Sequence, residues 1–299
     1  RNLARMLYWR GGGATGRFQH LLLVGKPSFG MGSSQTGTNY LPNYQSYNSY
    51  DKSLSFGTDD FFGLLDPGEG EEHGAMDIGV GRYSVESELE ADMVVAHEEA
   101  YHNPANWGDW MGRLLFLADD GSENSFVENS DKLAKYVESH RPAMQCPRLF
   151  ADAYPRQQSY PESSYPGVNA ELHARIDQGT FLFNYIGHAG HQLGNESYLD
   201  INGVREWKNR RCLPLFVAAS CSLAEYDQPI ERSLGENMLH LPNGGAIALI
   251  SASRVSFSSG NYSFNSNLIA QLFPPTTDPA PTSLGTVYYK AKALTAGLE

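Results

Sequence analysis

Phe181–His191 reads FLFNYIGHAGH, and Leu213–Asp227 reads LPLFVAASCSLAEYD. Each opens as an apolar run of strand length and then breaks at small residues. Just past the break stands one chemically versatile side chain, His188 in the first and Cys221 in the second. Runs that are apolar throughout, rather than alternating, suit strands covered on both faces of a parallel sheet. Side chains just past the carboxyl ends of such strands line the binding crevice of an open sheet. Leu199–Asn209, with Ile201, Val204 and Trp207, supplies a crossover helix between the two runs. His188 and Cys221 then share one edge of the sheet on neighbouring strands.

The same unit recurs outward from this pair. Strand-like runs are expected at His20–Val24, Met76–Val80, Arg113–Ala118, Arg148–Ala151 and Ala246–Ile250. Between them, Ser87–His102 spaces Leu89, Met93, Val94 and Ala100 as a helix would. Asp131–Glu138 does so after a Ser130 N-cap, and Asn169–Ile176 does so before the stop at Gly179. Strands alternating with helices predict an α/β fold, mostly parallel sheets flanked by helices. Pro104 ends a helix and suggests two subdomains, residues 1–105 and 106–299, the second catalytic. Ser28–Pro67 has no sustained period and reads as a long loop, with Tyr40, Tyr44, Tyr47 and Tyr50 packing it onto the sheet.

Composition removes whole classes of function. With 41% hydrophobic residues among 299, the chain can bury a core, and three cysteines cannot staple it as a disulfide scaffold. A net charge of -12 argues against nucleic acid as a partner. No apolar run approaches the roughly 20 residues of a transmembrane helix. The chain begins at Arg1 with no charged-then-apolar leader and reads as an excised segment of something longer.

A thiol beside an imidazole suits nucleophilic catalysis, because only the thiolate attacks well and the imidazole takes its proton. Gly187 and Gly190 flank His188, and the backbone N–H groups of Ala189 and Cys221 are candidate oxyanion donors. The same spacing also fits a packed core thiol and a histidine that caps a strand. His191 is a rival base, further from the strand end. Other signals are weaker. His97 and His102 in HEEAYH stand five residues apart, where zinc chelation on one helix face needs four, so this reads as a solvated helix end. GGGATG at Gly11–Gly16 lacks the Lys-Ser/Thr of a phosphate loop. No cofactor is required by these motifs. Structural Ca²⁺ is conceivable at Asp119–Asn124, whereas the acidic loop Asp66–Glu72 reads as solvated charge. Cys146 and Cys212 read as core thiols or as a bridged pair.

FNYIGHAGH, LPLFVAASCSLAEYDQP and SLGENMLHLPNGGAIALISASR resemble the catalytic core of the gingipain-like cysteine peptidases. LPNYQS, GTDDFFGLLDPGEG, MDIGVGRYSV, FLADDGSEN and DAYP extend the resemblance over nearly the whole chain, toward the PorU-type sortase branch of type IX secretion. The resemblance implies a caspase-like, gingipain-type fold with Cys221 as nucleophile and His188 as base, Ala189 standing where the family has Gly. It further implies an acid after Leu114–Ala118 that orients the histidine, Asp120 fitting better than Asp119. Asp131 then takes the position that reads a basic substrate side chain. The implied substrates are secreted proteins carrying a C-terminal signal domain. Lipopolysaccharide is the implied acceptor and secretion-machinery proteins the partners, at the outer face of the cell. Two other readings stay open at this level: a secreted endopeptidase cleaving after basic residues, and a non-enzymatic α/β module.

Overall fold

A computed structural model describes residues 1–29, 41–48, 50–51, 53–70, 73–158, 163–275 and 283–295. Along the chain, α1 (Asn2–Arg10) precedes β1 (His20–Val24), the short β2 (Tyr44–Gln45) and β3 (Gly57–Thr58), and β4 (Gly79–Tyr83). Then come α2 (Glu88–His102), β5 (Leu114–Ala118), α3 (Ser125–His140), β6 (Arg148–Phe150), α4 (Pro166–Asp177) and β7 (Leu182–Ile186). The remainder is α5 (Ile201–Arg205), β8 (Leu215–Ala219), α6 (Leu234–Leu239), β9 (Ala248–Ser251), α7 (Ser258–Leu272) and α8 (Leu284–Thr295). Among the described residues no helix is long and apolar enough to cross a membrane.

The chain forms two compact units. One comprises Arg1–Glu86, Asp227–Ile230 and Ser259–Glu299, the other Ser87–Tyr226 and Glu231–Ser258. These limits do not coincide with the expected 1–105 and 106–299: α2 groups with the second unit, and the last forty or so residues return to the first.

In the first unit β1 and β4 pair in parallel over a small core of Ala4, Tyr8, Leu65 and Ile78. The strand expected at Met76–Val80 lies three residues later, at Gly79–Tyr83. Arg82 concealed it, because a charged residue rarely sits in a covered strand. Here its side chain is 5% exposed, ion-paired to Asp59 at 2.7 Å and donating to the carbonyls of Gly25 and Leu41. Of the four tyrosines expected to pack the long loop, Tyr44 stacks on Phe61, while Tyr47 and Tyr50 are exposed. Tyr40 lies outside the described residues.

The second unit holds a five-stranded, all-parallel sheet in the order β6-β5-β7-β8-β9. Every residue of β5, β7 and β8 is buried, as unalternating apolar runs require. Helix α3 starts at Ser125, five residues ahead of the expected Ser130 cap. Its buried stripe, Phe126, Ser130, Leu133, Ala134 and Val137, follows helical spacing, and a serine in a core position masked its first part. The crossover expected over Leu199–Asn209 contracts to α5, capped by Asp200 accepting the Gly203 N–H at 2.9 Å, while Trp207 is buried just beyond it.

Strand order fixes where a site can form. After β5 the chain runs outward to β6, then crosses back to place β7 on the other side of β5. The crevice at such a reversal opens at the carboxyl ends of the two strands involved. Those ends lead into Asp119 and Asp120 on one side and into Gly187 and His188 on the other.

Candidate active site at the carboxyl ends of the central strands

β7 and β8 pair in register through Ile186↔Ala219. His188 and Cys221 each stand two residues beyond that last pair, on adjacent strands and at the same sheet edge. No hydrogen bond joins the thiol to the imidazole in this arrangement.

The backbone of His188 is held from three directions. Its N–H donates to Asp119 Oδ2 at 2.9 Å, and its carbonyl accepts the Tyr185 hydroxyl at 2.5 Å and the Gly194 N–H at 2.9 Å. The preceding Gly187 has no alternative, because a Cβ there would stand 2.3 Å from the Asp119 Cβ. The ring itself is exposed and stands edge-to-face with Phe126, with centroids 5.3 Å apart. Among the described residues neither ring nitrogen is hydrogen-bonded.

The two aspartates after β5 make different contacts. Asp119, fully buried, reaches the His188 main chain, while Asp120 makes no hydrogen bond to His188. The Tyr198 hydroxyl lies between them, close to Asp119 and 2.8 Å from Asp120 Oδ1, and Tyr165 donates to Asp120 Oδ2 at 2.6 Å. Burial pushes the Asp119 carboxyl up to about 6, against the hydrogen bonds from Tyr198 and His188. Burial also opposes the charge on Asp120, but the hydrogen bonds from Tyr165 and Tyr198 hold it below its ordinary value. Sequence reasoning missed both tyrosines, which sit in irregular chain where no period marks them.

Asp119, Asp120 and Glu196 bring their oxygens within 4.8 Å of one another, as a hard cation would need. Each is already compensated by protein donors: Tyr198 and the His188 N–H, Tyr165, and Arg156 at 2.7 Å from Glu196. Of these donors Arg156 alone carries a positive charge, so the grouping is hydrogen-bonded but not neutralised. In the other unit Asp66 and Glu69 lie beside Asp77. Burial raises the Asp77 carboxyl, and Tyr8 beside it is pushed up to about 12.

Cys221 is partly exposed at a sharp turn, with Ser222 following at φ 48°. Its sulfur donates to the Ser256 carbonyl at 3.3 Å and accepts the Ser256 N–H at 3.4 Å. Among the described residues the N–H groups of Ala189 and Cys221 have no acceptor, which leaves both available to an incoming oxyanion. Ala189 keeps a negative φ, so its backbone is not strained. Cys146 and Cys212 are free thiols, not bridged, and burial pushes Cys146 up to about 11.

Three more of the sequence readings can be placed. Asp131, on α3, is ion-paired with Lys135 at 2.6 Å and Arg148 at 3.2 Å, so its charge is met inside the protein. His191 is exposed and makes no hydrogen bond among the described residues. The helix end around HEEAYH is only half solvated: His102 is exposed, but His97 is 3% exposed and bonded to the Leu241 carbonyl at 3.0 Å.

The family described as Peptidase family C25 matches residues 1–298. No individual curated protein sequence matches. The crystal structure of the Arg-specific cysteine proteinase gingipain R superposes with a TM-score of 0.75 at 13% identity, covering 99% of this chain and 62% of that one. A complex of Porphyromonas gingivalis RgpB pro- and mature domains gives a TM-score of 0.72 at 14% identity, covering 99% and 63%. The chain thus spans about six tenths of those solved chains. At such identities the likeness speaks for the fold, an α/β architecture of the gingipain type.

Proposed function

The chain belongs to peptidase family C25, and from that premise we propose that it is a cysteine peptidase with Cys221 as nucleophile and His188 as base. The observation that carries this reading is the register Ile186↔Ala219, from which both side chains stand two residues on. His188 takes the thiol proton, and the thiolate attacks the scissile carbonyl. The N–H groups of Ala189 and Cys221 receive the tetrahedral oxyanion. The imidazolium then gives its proton to the leaving amine, which leaves a thioester on Cys221. Water or a second amine resolves the thioester. Asp119 anchors the His188 loop through its N–H, and Asp120 acts one step further out, through Tyr198.

The finer proposal is a sortase-type activity, supported by the TDDFFGLLD and DIGVGR segments. Its substrates are secreted proteins with a C-terminal signal domain, and its acceptor is an amine on surface lipopolysaccharide. The work takes place at the outer face of the cell alongside secretion-machinery proteins. Cleavage after basic residues is the alternative, and Asp131, which would read them, is paired with Lys135 and Arg148. The test offers the protein short Arg and Lys peptides beside a substrate bearing a C-terminal signal domain, with and without an added amine. Signal-domain cleavage with the amine joined to the new carboxyl end is expected. Rapid turnover of the short peptides and no amine adduct would overturn the sortase reading.

A further inference from the structure

The turn after β8 is tied to the segment after β9 by its backbone. The Ser222 N–H donates to the Arg254 carbonyl at 2.9 Å, and the Ala224 N–H to the Ala252 carbonyl at 3.2 Å. Those bonds bring Ser256, thirty-five residues further along the chain, against the thiol. Three of its groups face the sulfur of Cys221. The carbonyl accepts from it at 3.3 Å, the N–H donates to it at 3.4 Å, and the hydroxyl stands 3.8 Å away. The same hydroxyl lies 3.1 Å from the Ser220 carbonyl, its nearer acceptor.

We propose that Ser256 is a positioning residue that holds Cys221 in two states: a resting thiol and an attacking thiolate. In the resting state the S–H donates to the Ser256 carbonyl while the hydroxyl donates to Ser220. When the thiol proton passes to the base, the sulfur loses its donor role and becomes a charged acceptor. The Ser256 N–H already points at it, and the hydroxyl can turn from Ser220 to the sulfur. Hydrogen bonds to a charged acceptor are about twice as strong as neutral ones. The switch therefore gives the thiolate two donors from one residue. The site described above supplied the base and the oxyanion donors; Ser256 adds what keeps the sulfur aimed and charged. The inference rests on the peptidase reading for its purpose, but the coupling of Ser256 to the sulfur can be read without any substrate.

The experiment follows the rate of Cys221 alkylation by iodoacetamide against pH in the wild type, Ser256→Ala and Ser256→Thr. Cys146 and Cys212 are replaced by alanine in all three. Ser256→Ala is expected to raise the midpoint of the alkylation profile by about one pH unit, the worth of one charge-assisted hydrogen bond. Peptide cleavage near neutral pH should fall about tenfold, through kcat rather than KM. Ser256→Thr, which keeps the hydroxyl, should return the profile to wild type. Equal thermal midpoints for the three proteins separate this from unfolding. An unchanged profile in Ser256→Ala, or a threonine variant that behaves like the alanine one, would overturn the proposal. A shifted and rescued profile in a protein that cleaves no peptide would leave the Ser256 coupling standing and remove the peptidase reading instead.

Discussion

The ends of β7 and β8 are held in opposite ways. Beyond β7 the main chain is clamped and the side chain is free: Asp119, Tyr185 and Gly194 take up both polar groups of the His188 backbone, while the ring is exposed. Beyond β8 the side chain itself is held, by Ser256 on the sulfur, at a turn whose next residue sits at φ 48°. A base that must collect a proton and later deliver it needs a fixed anchor and a ring able to swing. A nucleophile needs a fixed reacting atom. The two kinds of support match the tasks proposed for His188 and Cys221.

The largest effects should come from the reacting groups. Cys221→Ala is expected to abolish cleavage, with a loss of at least about 10³-fold in kcat and an unchanged thermal midpoint. Residual activity within tenfold of wild type would break the comparison at the β8 end. His188→Ala should cost about 10²- to 10⁴-fold, with the loss partly recovered by added imidazole, since the space around the ring is open. Gly187→Ala tests the anchor rather than the ring. The new methyl meets the Asp119 Cβ at 2.3 Å, so the loop must shift, at about 1–3 kcal/mol of stability measured by denaturant unfolding. Activity in that variant should fall while alkylation of Cys221 is retained.

The smallest predicted effect separates the two aspartates. Asp119 is raised to about 6 in the fold against an ordinary 3.8, so the native state binds its proton more tightly than the unfolded chain does. Its contribution to stability therefore declines as pH rises between about 4 and 6. Asp119→Asn keeps an acceptor for the His188 N–H and removes the titration. Its stability relative to wild type should improve across that window, read as the difference in thermal midpoint at pH 4 and pH 6.5. Asp120 is lowered, so Asp120→Asn should show the opposite slope, losing ground to wild type as pH rises through the acid range. Identical pH dependence in the two variants would contradict the division of labour between them.

Much of the sheet is legible in the residues alone. Buried strands such as Leu114–Ala118 and Leu215–Ala219 announce themselves, because solvent exclusion on both faces imposes one residue character along the whole run. Elements with an exception to their pattern departed from the reading: β4 was displaced around Arg82, α3 ran longer on both sides of Ser130, and the crossover contracted to α5. In the first two a polar residue had entered a covered position, where tertiary partners or helical packing rather than local pattern decide its fate. His97 is the same lesson on a helix, a histidine sunk against the Leu241 carbonyl where local reading expected solvent.

Local residue pattern suffices for the alternation of strands and helices, the absence of a membrane-length apolar run, and the position of His188 and Cys221 just past two buried strands. Those properties are local: each depends on the residue types within one run and on the burial that run demands. The tertiary structure alone decided which aspartate reaches His188, that Asp131 spends its charge on Arg148, and that Ser256 stands on the sulfur. Asp119 and His188 are 69 residues apart, Asp131 and Arg148 are 17 apart, and Cys221 and Ser256 are 35 apart. Contacts at such separations follow from strand order and from where each connection crosses back, and no local period in the sequence records either.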